Sequence, residues 1–118
     1  MSSVRRELLP SATDADLPDR LEPGTEILAG SPRAAARTLG RVAGAEVGLW
    51  EMTRGTARDV ETDEVFVVLA GRGTVTFQDG ESLGLRPGVV VRLHAGDRTE
   101  WAVTEPLRKL YVAPAEET

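Results

Sequence analysis

The chain has no cysteine, one histidine, one lysine and five aromatic residues among its 118. Without cysteine there is no disulfide framework, no thiolate nucleophile and no zinc ribbon. Basic charge is also scarce: 14 Lys plus Arg stand against 19 Asp plus Glu, giving a formal charge of −5. Nucleic-acid binders neutralise phosphates with clustered Lys and Arg, so no nucleic-acid partner is expected. Long apolar runs are missing too. The longest, Val65 to Ala70, is far shorter than the ~20 residues that span a bilayer. Arg5, Arg6 and Glu7 interrupt the stretch from Val4 to Leu9, where a secretory signal would need an apolar core of roughly 7–15 residues. No membrane partner is expected, and the cytoplasm is the expected location.

The apolar content of 41% supplies a core, drawn mainly from Val, Leu and Ala. The length suits one domain of the usual ~100–150 residues. Residues 1–25 are rich in Asp, Glu, Pro and Ser, and read as an extended, partly ordered N-terminal arm. From Glu26 short apolar stretches alternate with turn residues. Ala45 to Thr53 alternates like a half-buried strand, and Val65 to Ala70 is a β-branched run covered on both faces. Thr74 to Gln78 and Ser82 to Arg86 flank Asp79-Gly80, a hairpin signal. Pro87-Gly88 turns the chain into Val89 to Leu93, with Arg98 to Val103 and Leu107 to Val112 beyond. Ala34 to Leu39 is too short for a helix between Ser31-Pro32 and Gly40. About nine short strands predict an all-β fold, an antiparallel sandwich or barrel.

Several stretches carry a further likeness: Gly48 to Gly55, Asp63 to Gly71, Pro87-Gly88, Arg98 to Val103 and Leu107 to Val112. Together they resemble the cupin superfamily, and within it the small single-domain proteins related to EutQ and to ureidoglycine aminohydrolases. The resemblance spans roughly residues 26–113 and implies a double-stranded β-helix, a jelly-roll barrel with a ligand at its mouth. Residues 114–118 would form a C-terminal tail. The first cupin motif ends in Glu64 and Gly71. Its two histidine places fall on Arg58 and Val60, or on Ala57 and Asp59 in the alternative register. The second motif matches Gly88, Gly96 and Thr99, with His94 in a proline place and Thr99 in a histidine place. Divalent first-row metals in such barrels want imidazoles beside a carboxylate, so no metal ligand set and no cofactor are expected. Asp59 with Glu64 is left as a weak carboxylate alternative for a hard cation, against a solvated turn for the run Asp59, Glu61, Asp63, Glu64.

Strand alternation picks out the lining. With Glu64 inward, Phe66 and Val68 follow it. With Thr99 inward, Trp101 and Val103 follow. Trp50 pairs with Met52, and Lys109 with Tyr111. Lys109 is the sole lysine and lies in the largely apolar final stretch Leu107 to Val112, so it needs a carboxylate partner, for which Glu64 is the candidate. Glu64 and Lys109 are the candidate catalytic residues, as acid or base and as electrostatic anchor. Trp50, Arg58, Phe66, Thr99, Trp101 and Tyr111 are the candidate ligand-binding residues. For the Glu64–Lys109 pair a purely structural salt bridge is the competing reading, and for the tryptophans it is core packing.

Three functions stay open: a metal-free small-molecule-binding protein, an enzyme of hydrolase or isomerase/epimerase type using Glu64, and a structural or assembly protein with a plugged barrel. The partners expected are an unidentified small molecule and a second copy of the chain. Ile27 and Leu28 offer an apolar patch for such a homodimer.

Overall fold

The computed structural model describes residues 5–17 and 21–115, so parts of the expected arm and tail lie outside the described residues. Eight strands account for the body. They are β1 (Glu26–Ala29), β2 (Ala34–Val42), β3 (Ala45–Met52), β4 (Gly55–Val60), β5 (Glu64–Phe77), β6 (Ser82–Leu85), β7 (Val90–Leu93) and β8 (Arg98–Pro114). All pairings are antiparallel. The order β1-β4-β8-β3-β2 forms one side, and β5 joins β8 while carrying β6 and β7. The all-β barrel expected from the sequence is therefore the fold.

The strand count differs for a physical reason. The segments read as two strands on either side of Gly71 form one, β5, and those on either side of Pro106 form β8. Both strands bend rather than stop. Pairing between β5 and β8 slips between Val68 and Gly73, opposite Val103 to Lys109. Gly71 permits the bend: its φ is +94°, and a Cβ there would lie 2.1 Å from the Pro106 carbonyl oxygen. Ala34 to Leu39, too short for a helix, lies in strand β2, which pairs with β3 from Ala34–Met52 to Val42–Ala45. The Asp79-Gly80 hairpin joins β5 to β6, with Gly80 at φ +92°.

Inward-facing positions alternate along each strand and meet in one core. Met52, Ala57, Phe66, Val68, Val75, Leu85, Val91, Leu93, Trp101, Val103 and Leu107 are all buried. Ala12 and Thr13, within the described residues 5–17, meet the outside of the barrel. Arg108, buried on the outer face, donates to the carbonyls of Ala12 (2.9 Å) and Thr13 (3.1 Å) and to Glu51 (3.1 Å). Charge-assisted bonds of this kind exceed neutral ones in strength and fasten residues 5–17 to β3 and β8.

Candidate functional site

From the bend, each limb of β8 grows more polar along its inward face. One limb runs Val103, Trp101, Thr99; the other runs Leu107, Lys109, Tyr111. The register sets Lys109 beside Trp50 of β3 and Val68 of β5, and sets Tyr111 beside Phe66. Lys109 is only 4% exposed. Its Nζ lies 2.6 Å from Glu64 Oε2. Three rings surround the same ammonium, with centroids at 4.4 Å (Phe66), 4.7 Å (Trp50) and 4.9 Å (Trp101). The negative faces of aromatic rings attract a desolvated cation by up to about 2 kcal/mol each. The carboxylate and the rings therefore hold a fixed positive charge inside the barrel.

Two further carboxylates stand above it. Glu61, just beyond β4, turns inward. Its Oε2 accepts the Thr99 hydroxyl at 2.6 Å and the Trp101 indole N–H at 3.0 Å. The backbone aims it: Glu61 N–H donates to the Asp97 carbonyl, and Gly96 N–H donates to the Glu61 carbonyl. Asp59, at an inward position of β4 opposite Thr99, accepts the Val60 backbone N–H at 2.8 Å. Burial first, and the charge of Glu61 second, push the Asp59 carboxyl above the usual range. At the rim the Tyr111 hydroxyl donates to Glu46 at 2.8 Å. Burial and that carboxylate push the phenol far above its ordinary value, so it stays a donor. Gly48 makes room for the ring, since a Cβ there would lie 2.5 Å from the phenol oxygen.

A cavity of about 240 Å³ opens among these groups, lined by Trp50, Asp59, Glu61, Glu64, Trp101, Lys109 and Tyr111, with Ala36, Val60 and Thr62. Phe66 lies beneath Trp101, their ring centroids 5.7 Å apart, and Thr99 reaches the cavity through Glu61. Arg58 does not join them. It lies on the outer face of β4, bridging Glu26 (3.4 Å) and Glu100 (3.6 Å), because strand alternation puts its neighbours Ala57 and Asp59 inside. His94 is likewise outside, in a turn near Asp97. The acidic run splits two ways: Asp59, Glu61 and Glu64 face the cavity, while Asp63 pairs with Arg92 at the surface. Glu61 is the functional position that sequence reasoning passed over. No periodicity marks an inward turn made by a residue between two strands.

A family model described as a EutQ-like cupin domain matches residues 39–111. No curated protein matches the sequence. Among solved structures, the EutQ protein of Clostridium difficile is 22% identical, with TM-score 0.65 over 74% of this chain and 72% of that one. A putative ethanolamine utilization protein Q from Salmonella typhimurium is 23% identical, with TM-score 0.60 over the same shares of 74% and 72%. A Rhizobium leguminosarum protein of unknown function is 24% identical, with TM-score 0.62 over 70% of this chain and 82% of that one. At these identities the likenesses show the fold, a jelly-roll barrel.

Proposed function

Because the chain belongs to the EutQ-like cupin domain family, we propose that it binds a small molecule in the cavity at the barrel mouth, without a metal ion. One observation carries this reading: a buried ammonium, Lys109, is pre-set by Glu64 and three rings at a cavity that also holds Asp59 and Glu61. A plugged barrel would be filled at the mouth as well as at the bend. Here the interior is filled up to Phe66 and Trp101 and hollow above them. That arrangement favours binding over a purely structural role.

The residues at the metal-ligand positions of the fold family do not fit a divalent cation. Of the first motif's histidine places, Arg58 faces outward and Val60, exposed at the cavity rim, has no ligating atom on its side chain; the alternative register offers Ala57 and Asp59. The Glu64 carboxylate is held by the Lys109 ammonium at 2.6 Å, and the Thr99 hydroxyl by Glu61 at 2.6 Å. Positive charges about 4 Å apart repel by about 4 kcal/mol per unit charge at an effective dielectric of about 20. A cation ligated by Glu64 would meet that repulsion from Lys109. Elemental analysis of the purified chain is expected to give no stoichiometric Mn, Fe, Ni or Zn. A stoichiometric metal removed by Glu64→Gln overturns the metal-free reading.

The same cavity leaves Asp59 as a carboxyl whose proton affinity is raised, the property an acid–base group needs. Glu64, engaged by Lys109, is instead a positioning residue for that ammonium. Homodimerisation is a second proposal. It is supported by β1, an end strand of the sheet, on which Ile27 is 43% and Leu28 41% exposed. Light scattering at micromolar concentration is expected to give twice the 12.7 kDa chain mass.

A further inference from the structure

We infer that the mouth cavity selects a small molecule without net negative charge, one that offers a carbonyl oxygen to Lys109 and an N–H donor to Asp59 or Glu61. The inference rests on the reading of this cavity as a ligand site and names the chemistry the site would take.

Lys109 carries three N–H donors. One is taken by Glu64 Oε2, and no second hydrogen-bond acceptor meets the ammonium among the described residues. The three ring faces attract its charge but accept no conventional hydrogen bond. A ligand oxygen in the cavity would supply the missing acceptor. Glu64 already balances the charge of Lys109, whereas Asp59 and Glu61 have no ion-pair partner among the described residues. With three carboxylates and one ammonium, the lining carries a formal charge of −2 when all are ionised. A second negative charge beside an unpaired carboxylate is repelled, and more strongly in a partly desolvated cavity than in water. An organic anion therefore meets one attractive group, already neutralised, and two repulsive ones.

A carbonyl compound with N–H groups meets complementary partners throughout: ammonium to oxygen, N–H to carboxylate, and the indoles of Trp50 and Trp101 against its apolar part. The raised Asp59 carboxyl agrees, since burial and Glu61 outweigh the Val60 backbone bond and the nearby Lys109 charge. Size limits the class further. At roughly 30 Å³ of liquid volume per water, 240 Å³ holds about eight waters, which corresponds to a molecule about the size of an amino acid or a short amide.

The sole lysine gives a direct readout. In the full chain labelled with ¹³C,¹⁵N-lysine, the one side-chain signal set reports on the cavity. Propionamide and propionate, nearly identical in shape, are titrated separately. Propionamide is expected to shift the Lys109 signals with an apparent Kd about tenfold below that of propionate. Asp59→Asn is expected to shrink the preference to about threefold or less. Should that variant not fold, Glu61→Gln serves the same purpose. Propionate binding as tightly as propionamide, or a preference unchanged in the folded variant, overturns the selectivity while leaving the cavity a ligand site. Lys109 signals that neither probe moves up to about 100 mM overturn both, because even the modest per-atom efficiency of drug-sized ligands gives a five-heavy-atom probe a Kd of about 100 mM.

Discussion

The two ends of this barrel are built by the same two strands and obey different rules. Near the bends of β5 and β8, the inward positions are Val68, Val75, Val103 and Leu107, all at most 3% exposed and joined by Met52 and Leu85. Toward the mouth, the inward positions of the same strands become Glu64, Thr99, Lys109 and Tyr111, each tied to a named partner. One end is held by close packing, which tolerates changes of shape poorly. The other is held by directional pairs, each costly to break singly and replaceable together. Trp101 joins the two, with its ring against Phe66 and its N–H on Glu61.

The sharpest way to break the contrast is to cut each end once. Leu85→Ala, at the packed end and 2% exposed, is expected to lose about 3–4 kcal/mol by thermal or urea unfolding. It should leave the Lys109 side-chain signals in place. A loss below about 1 kcal/mol would mean that the packed end relaxes around cavities and is not the rigid half.

Glu64→Gln is expected to cost somewhat less, about 3 kcal/mol, because it leaves the Lys109 ammonium buried without a counter-charge. Glu64→Leu with Lys109→Met removes both charges, and the double variant should be more stable than either single one. A double variant as unstable as the sum of the singles would show that the pair is worth no more than its packing. The same cycle separates structure from binding: the double variant should fold and yet lose propionamide binding, read by the fluorescence of Trp50 and Trp101 at the cavity because the sole lysine is gone.

The two ends also differed in how far the sequence revealed them. The packed end was legible because alternation is a local signal: once Glu64 and Thr99 are taken as inward, as the cupin resemblance implies, Val68, Trp101 and Val103 follow by period two. That β5 and β8 continue through their bends was not legible. Gly71-Arg72-Gly73 reads equally as a turn between strands, and only the closeness of the Pro106 backbone at the bend distinguishes the two. At the mouth, the pairing of Lys109 with Glu64 could be anticipated from the rarity of lysine. Its ring cage depended on the register that sets Trp50 against Lys109. Arg58 went astray for want of one residue of register, which exchanges the faces of a strand. Glu61 lies outside every strand, so no periodicity could reach it.

A smaller change probes Glu61 through its neighbours. Thr99→Val keeps the shape and removes the hydroxyl that Glu61 accepts at 2.6 Å. The expected loss is about 1.5 kcal/mol, the low end for a hydrogen bond to a charged group, because the Trp101 N–H stays on Glu61. The full desolvation cost of an abandoned buried carboxylate, about 3 kcal/mol, would mean that the indole bond does not survive without the hydroxyl.

The smallest effect is a pH dependence at Asp59. Its native carboxyl titrates above the usual value of 3.8, from burial first and Glu61 second. The folded state therefore binds this proton more tightly than the unfolded state does. The resulting stability is fully present below the unfolded value and is lost as pH rises through the higher native value. At neutral pH the ionised group weighs against folding. Asn in its place carries no charge at any pH and still accepts the Val60 N–H, so Asp59→Asn should melt slightly above the parent at pH 7. The advantage should shrink as pH falls and vanish once the parent Asp59 is protonated in both states. Melting curves from pH 3 to 7 check this. An advantage that stays flat across that range, or grows toward acid, would mean that Asp59 is solvated at the mouth rather than crowded by burial and Glu61.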